Sequence, residues 1–141
     1  MENSLDLKNQ VCFPIYALAK EIVNHYRPFL DALDITYPQY LVLIVLWKEK
    51  EQTVGQLGNQ VFLDSGTLTP LLKRMEQKGI IDRRRSIEDE RVVKLSLTEK
   101  GISLKEKAKD IPYKLMESMQ VSEEEILELK NIVMRILNKQ K

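Results

Sequence analysis

Apolar positions follow a helical spacing along most of the chain and switch to strict alternation once. Ile15, Leu18, Ala19, Ile22, Val23 and Tyr26 recur every three or four residues, predicting a helix from about Asn9 to Leu30. Pro14 falls in its first turns, and Pro28 lies near its end or kinks it there. Residues 1–8 are polar and are expected to fray. After a short connection, Thr36 reads as an N-cap, with Pro38 inside the first turn and Gln39 at the capping-box position. The helix it opens, Tyr37 to Lys50, is apolar without a break from Tyr40 to Trp47, which predicts a place at the centre of the core. Thr53 opens a short helix to Val61 with Val54, Leu57 and Val61 inward, and Phe62 and Leu63 are expected to fill the turn that follows.

The stretch from Asp64 to Leu97 carries the most information. Leu68, Leu71, Leu72 and Met75 form one helical stripe, with Asp64 or Ser65 as the cap and Gly79 as the stop. Beyond Gly79 the spacing becomes two. Ile81, Arg83 and Arg85 alternate with Ile80, Asp82 and Arg84, and Arg91, Val93, Leu95 and Leu97 alternate with Val92, Lys94 and Ser96. Two short strands around a polar turn make a β-hairpin. Thr98 then caps a helix running to about Met119 with a kink expected at Pro112. Ser122 and Glu125 form a capping box for a last helix, Ile126 to about Leu137, with Ile126, Leu129, Ile132, Val133, Ile136 and Leu137 as its apolar positions.

The face opposite the leucine stripe holds Gly66, Pro70, Lys73 and Gln77, flanked by Thr67, Thr69 and Arg74. It offers hydroxyls and cations and no acid, which suits a groove lined with phosphates and base edges. An Arg-rich strand by itself is more often a solvated sheet edge than a nucleic-acid contact. An acid-free helix face, a glycine stop and a basic hairpin together are the pattern of a winged helix-turn-helix. The expected fold is mainly α with a small β-hairpin wing. Ser65, Thr67, Thr69, Lys73 and Arg74 are candidates for the major groove. Arg84, Arg85, Asp89 and Arg91 are candidates for the wing, with Asp89 orienting Arg91 rather than touching DNA.

The helices at the two ends have apolar faces too large to bury on so small a module. The chain is therefore expected as one domain, 1–141, with a winged-helix lobe at 36–98 and dimerisation helices at 1–35 and 99–141. A two-fold homodimer sets two recognition helices about one DNA turn, roughly 34 Å, apart, matching a pseudo-palindromic operator in double-stranded DNA.

Composition narrows the chemistry. The net charge is only +1, so charge for DNA must be local. Cys12 is the sole cysteine and His25 the sole histidine, which leaves no internal disulfide, no His-based triad and no evident metal centre; neither metal nor cofactor is expected. His25 reads as a surface or interface residue. The first residues include Glu2 and Asp6 and no apolar run, so no signal peptide is expected. The longest apolar run, Leu41–Trp47, is too short for a bilayer, and a cytoplasmic location without membrane partners is expected.

Several segments carry a resemblance: Gln10-Val-Cys-Phe-Pro-Ile-Tyr16, Tyr26-Arg-Pro-Phe-Leu-Asp31, Ile35-Thr-Tyr-Pro-Gln-Tyr-Leu41, Leu63 through Gln77, Glu88-Asp-Glu-Arg91 and Thr98-Glu-Lys-Gly101. The chain resembles the MarR family of winged-helix regulators, and within it the one-cysteine organic hydroperoxide regulators. The match is weakest after Pro112, and Pro14 departs from the commoner pattern of that branch. The resemblance implies a repressor that senses organic hydroperoxide through Cys12 and then releases its operator. It places tyrosines matching Tyr26 and Tyr37 against the cysteine from the other subunit, with one matching Tyr16 nearby. Phenol O–H donors stabilise a thiolate, and a helix start adds a modest favourable dipole. An apolar surround of Phe13, Ile15 and Leu41 would favour alkyl or lipid hydroperoxides. Without a second cysteine, the sulfenic acid goes on to a mixed disulfide with a low-molecular-weight thiol, a cross-chain bond, a sulfenamide or over-oxidation.

Other readings stand beside this one. Cys12 alone reads as a buried small hydrophobe, and the tyrosines as core-edge residues. A regulator gated by a small lipophilic or phenolic ligand keeps the DNA module without redox sensing. A regulator responding to redox input broader than hydroperoxides fits the same residues. A thiol peroxidase is disfavoured, because no resolving cysteine and no evident Arg or Thr partner accompanies Cys12, so no enzyme is expected.

Overall fold

Helix α2 (Tyr37–Glu49) supplies much of the buried core of the structure, a computed structural model that describes residues 4–141. Its start is locked as expected: Gln39 N–H donates to Thr36 Oγ1 at 3.4 Å, and Thr36 N–H donates to Gln39 Oε1 at 3.1 Å. Tyr40, Val42, Leu43 and Leu46 are buried, each contributing roughly 2 kcal/mol relative to exposure. Helix α1 (Cys12–Asp31) precedes it and keeps Pro28 inside. Of the N-terminal residues expected to fray, 1–3 lie outside the described residues. The rest are more ordered than expected, because Asp6 caps a 3-10 turn at Leu7–Asn9, with Lys8 N–H donating to Asp6 Oδ1 at 3.2 Å.

The sheet has one strand more than the expected hairpin. β1 (Glu51–Thr53) pairs antiparallel with β3 (Val93–Leu97), which also pairs with β2 (Ile81–Arg85), giving the order β1-β3-β2. Glu-Gln-Thr is polar and too short to show alternation, so pairing with Lys94–Ser96 makes this strand rather than its own side chains. Ile81 and Leu95 point into the core, and Arg84 stands opposite Lys94 on the other face.

Between β1 and β2 lie α3 (Val54–Val61) and α4 (Ser65–Gln77). Thr53 and Gln56 form the capping box of α3, and Leu57 is fully buried. Phe62 does not fill the following turn as expected. It adopts a left-handed conformation with φ 58° and is half exposed, while Leu63 N–H closes the turn on Gly58 O at 3.1 Å. Asp64, not Ser65, caps α4, accepting from Thr67 N–H at 2.8 Å. Leu68, Leu71, Leu72 and Met75 are buried, and Gly79 ends the helix at φ 75°, where a side chain would be strained.

The expected kinked helix from Thr98 to Met119 is two helices, α5 (Glu99–Ala108) and α6 (Ile111–Met119). A continuous helix would need an N–H at Pro112 for Ala108 C=O, and the pyrrolidine ring would strike that carbonyl. The chain breaks at Lys109–Asp110 instead, and Pro112 settles into the first turn of α6, where its missing donor costs nothing. Ser122 and Glu125 cap α7 (Glu123–Asn138) reciprocally.

The chain divides into two compact units. One is Arg27–Lys109; the other takes the residues up to Tyr26 and those from Asp110 to Lys141. The first unit thus reaches past the expected 36–98 lobe and includes α5. The reason is packing: Trp47 Nε1–H donates to Gly101 O at 2.9 Å, and a Cβ on Gly101 would come within 2.2 Å of Ile80 O.

Candidate nucleic-acid interface and sensor thiol

Helix α4 presents Ser65, Thr67, Thr69, Lys73 and Arg74 exposed, opposite its buried leucine stripe. Among the described residues, neither Lys73 nor Arg74 takes part in an ion pair, so both charges are available to an anionic partner. The Asp64 carboxylate at the helix start is held below the usual aspartate range, chiefly by the hydrogen bond from Thr67 N–H.

The wing sorts its arginines. Arg83, counted among the hairpin cations, is taken up by Glu76, with Nε to Oε1 at 3.1 Å. Arg85 Nη1 donates to Glu90 O at 2.8 Å, and Ser86 N–H donates to Val92 O at 2.8 Å, so the tip is closed from within. Asp89 grips Arg91 through Nε to Oδ1 at 3.1 Å and Nη2 to Oδ2 at 3.2 Å, and also accepts from Arg91 N–H. That clamp pulls the Asp89 carboxyl down in pKa, with the Arg91 side chain as the main cause. The Arg91 side chain remains 90% exposed, oriented by Asp89 and open to a further partner. Arg84 is exposed and makes no ion pair among the described residues. Lys94, which no sequence argument singled out, faces it across the ladder and lies 3.9 Å from Glu51. The signal was present in the alternation, which sets Lys94 and Arg84 on one face.

Cys12 is exposed at the first position of α1, so it is not the buried small hydrophobe that the thiol alone suggests. Tyr16 follows one turn later on the same side, also exposed, with Lys20 Nζ 5.3 Å from its ring centre. Phe13 and Ile15 beside them are exposed apolar residues. Tyr26 is not brought to Cys12 within the chain, since fourteen residues of helix separate them by about 21 Å. Tyr37 opens α2 in the other unit, half-buried, with its ring 6.3 Å from that of Tyr40; burial raises its phenol pKa. His25, half-buried, bonds through Nδ1 to Ser118 Oγ on α6. Among the described residues no cluster could hold a metal ion, and no helix is long and apolar enough to cross a membrane.

With this geometry in place, likenesses to known proteins take on meaning. A family model described as transcriptional regulator SarA/Rot matches residues 24–108. Over 140 residues the chain is 52% identical to the organic hydroperoxide resistance transcriptional regulator of Bacillus subtilis (strain 168), covering 97% of this chain and 95% of that protein. The chain belongs to the MarR/SarA family of winged-helix transcriptional regulators.

Two solved structures of another protein, AbfR, are similar along nearly the whole chain. Reduced AbfR bound to DNA superposes with a TM-score of 0.81 at 32% identity, covering 99% of this chain and 97% of that one. Disulfide-formed AbfR gives a TM-score of 0.64 at 33% identity, covering 96% of each. AbfR is a Staphylococcus epidermidis protein. In this MarR/SarA regulator, a disulfide within one chain is out of reach, because Cys12 has no second cysteine. The family membership also decides against the thiol-peroxidase reading: the chain is a transcriptional regulator and not an enzyme.

Proposed function

We propose that this chain is a cytoplasmic, homodimeric transcriptional repressor that binds a pseudo-palindromic operator and releases it when organic hydroperoxide oxidises Cys12. The observation that carries the proposal is an exposed thiol at the first position of α1 in a chain so similar to a hydroperoxide-resistance regulator. Ser65, Thr67, Thr69, Lys73 and Arg74 enter the major groove. Arg84, Arg85 and Arg91 serve the flanking backbone or minor groove, with Asp89 holding Arg91 in place. Residues 36–98 form the reading lobe, on which α5 also packs, and the segments 1–35 and 99–141 supply the dimer contacts.

Dimerisation follows from unburied surface. In the unit formed by the chain ends, Val11, Ile15, Leu127, Ile132, Val133 and Ile136 remain exposed. A second copy covers them and also solves the sensor geometry, since Tyr26 and Tyr37 then approach Cys12 from the other subunit.

In the chemical step the Cys12 thiolate attacks the outer oxygen of ROOH. The S–O bond forms as the O–O bond breaks, and RO⁻ takes a proton and leaves as the alcohol. Sulfur loses the electron pair that the peroxide gains. Cys12 sulfenic acid no longer holds the charge that the phenols stabilised, and the interface relaxes toward a DNA-releasing spacing. A low-molecular-weight thiol then attacks the sulfenic sulfur: the S–S bond of a mixed disulfide forms as the S–O bond breaks, and the hydroxyl leaves with the thiol's proton as water.

Fluorescence anisotropy on the gene's own upstream DNA tests this. Reduced wild type binds, wild type treated with cumene hydroperoxide and a small thiol releases, and Cys12→Ser holds on under both conditions. Release by both proteins, or by neither, removes Cys12 as the switch and favours gating by a small lipophilic or phenolic ligand.

A further inference from the structure

We infer that Lys78 is a positioning residue for this switch: it ties the C-terminal end of recognition helix α4 to the turn that carries Tyr37. The inference rests on the proposed part of Tyr37 in redox sensing, and every residue it uses lies in the unit Arg27–Lys109. Lys78 is the C-cap of α4. Its Nζ crosses to the α1–α2 turn, donating to Asp34 O at 2.7 Å and to Gln39 Oε1 at 3.4 Å, with Asp34 Oδ1 3.8 Å away. Gln39 Oε1 is also the acceptor for Thr36 N–H, the residue directly before Tyr37. One oxygen therefore holds the start of α2 and the end of α4 together.

Exposed lysine pairs usually contribute little, because water competes and the long side chain is costly to order. This one differs in three ways. Gln39 is 2% exposed and the Lys78 side chain only 31%, so the strap rests on the bonds to Asp34 O and Gln39 Oε1, while the Asp34 carboxylate, 92% exposed, adds little. The Asp34 turn is pinned by Leu33 and Ile35 N–H groups on Leu30 O and by Asp34 N–H on Asp31 O, at 3.0–3.1 Å. The other end is pinned as well. Lys78 N–H donates to Arg74 O, Lys100 Nζ donates to Lys78 O at 3.0 Å, and Thr98 Oγ1 donates to Gly79 O at 2.6 Å. A strap fixed firmly at both ends transmits displacement instead of absorbing it. Its far end lies one helical turn from Arg74, a proposed DNA contact. Movement of Tyr37 thereby shifts the pitch of α4 without any contact between Tyr37 and DNA.

The test compares full-length wild type, Lys78→Met, Tyr37→Ala and the double variant in the reduced state by amide hydrogen exchange. Tyr37→Ala is expected to speed exchange over residues 74–80 about threefold in wild type and to add almost nothing once Lys78→Met is present. A second arm measures operator affinity before and after cumene hydroperoxide. Lys78→Met should lose most of the peroxide-driven drop in affinity while Cys12 oxidises at the wild-type rate, and Lys78→Arg should restore the drop. Lys78→Gln replaces Lys78→Met if the latter does not fold. An equal response of residues 74–80 to Tyr37→Ala with and without Lys78, or full operator release by Lys78→Met, overturns the strap. If wild type itself does not release under peroxide, the redox reading fails, and the exchange arm still decides on Lys78.

Discussion

The two compact units of this chain handle apolar surface in opposite ways. Among the described residues, every buried hydrophobic side chain except Ile111 belongs to Arg27–Lys109. That unit wraps α2 with α3, α4, α5 and the sheet, and its polar chains are spent on caps and straps. In the unit built from the chain ends, α7 is long and opens on a reciprocal capping box, yet it buries none of its residues. Local rules suffice to form its helices, but its apolar faces remain exposed. The reading module is thus complete in one copy, and in the proposed dimer a second copy completes the sensing module.

The largest effect should come from breaking that second copy. Val133→Asp puts a carboxylate on the apolar face of α7 at a cost of roughly 3–5 kcal/mol if the face is buried between subunits. Sedimentation should show monomers, and operator binding should vanish at concentrations where wild type is saturated. A Val133→Asp protein that stays dimeric breaks the comparison, because α7 would then have been exposed all along.

Next in size is a change confined to the self-sufficient unit. In Gly101→Ala the new Cβ meets Ile80 O at 2.2 Å and Leu97 Cδ2 at 3.1 Å, and the first of these is backbone that cannot turn away. A loss of about 3 kcal/mol is expected, seen as a thermal midpoint lower by roughly 10 °C or more. Crosslinking through the chain ends should survive at temperatures below that midpoint. Coincident loss of dimer and reading unit would show that the two do not respond separately.

How much was legible beforehand follows the same division. The capping boxes at Thr36 and Ser122 and the helix start at Thr53 were readable because they are local chemistry, and the α4 stripe because four apolar residues share one face. Strand β1 was not, since three polar residues become a strand only through β3. The break at Pro112 was seen as a kink because helical spacing continues on both sides, and spacing does not register a missing N–H. Arg83 shares its strand with Arg84 and Arg85, and only the fold brings Glu76, seven residues earlier, to hold it. Lys78 showed no signal at all, because its partners Asp34 and Gln39 are about forty residues away and are joined to it only by the fold. Of the proposed sensor residues, Cys12 and Tyr16 are read from one helix, while Tyr26 lies too far along it to reach the thiol of its own chain.

A smaller effect distinguishes the members of the wing. Arg91→Ala should lower operator affinity about tenfold and flatten the salt dependence by about one unit, if Arg91 neutralises one phosphate. Asp89→Asn keeps the Arg91 charge and loses the ionic clamp, so about a threefold loss is expected with the salt slope almost unchanged. Equal losses with equal slopes would mean that Asp89 acts on DNA by more than orienting Arg91.

The smallest effect is one of pH. Asp64 and Asp89 both have depressed carboxyl pKa values, the first chiefly from Thr67 N–H and the second chiefly from the Arg91 side chain. A carboxylate whose folded pKa lies below its unfolded value contributes stability above the unfolded value, about 3.9 for aspartate, and loses it as pH falls through the lower folded value. The cap of α4 and the wing clamp should therefore be unaffected between pH 7 and pH 5 and weaken only in strong acid. Carbon NMR of the two side-chain carboxyls should give midpoints below that of an unstructured aspartate. In Arg91→Ala the Asp89 midpoint should return toward the ordinary value while that of Asp64 stays put, because the two depressions have separate causes. A joint shift of both would mean that the start of the recognition helix and the wing tip are electrostatically linked, and the reading unit would then be more tightly coupled internally than its separate hydrogen bonds indicate.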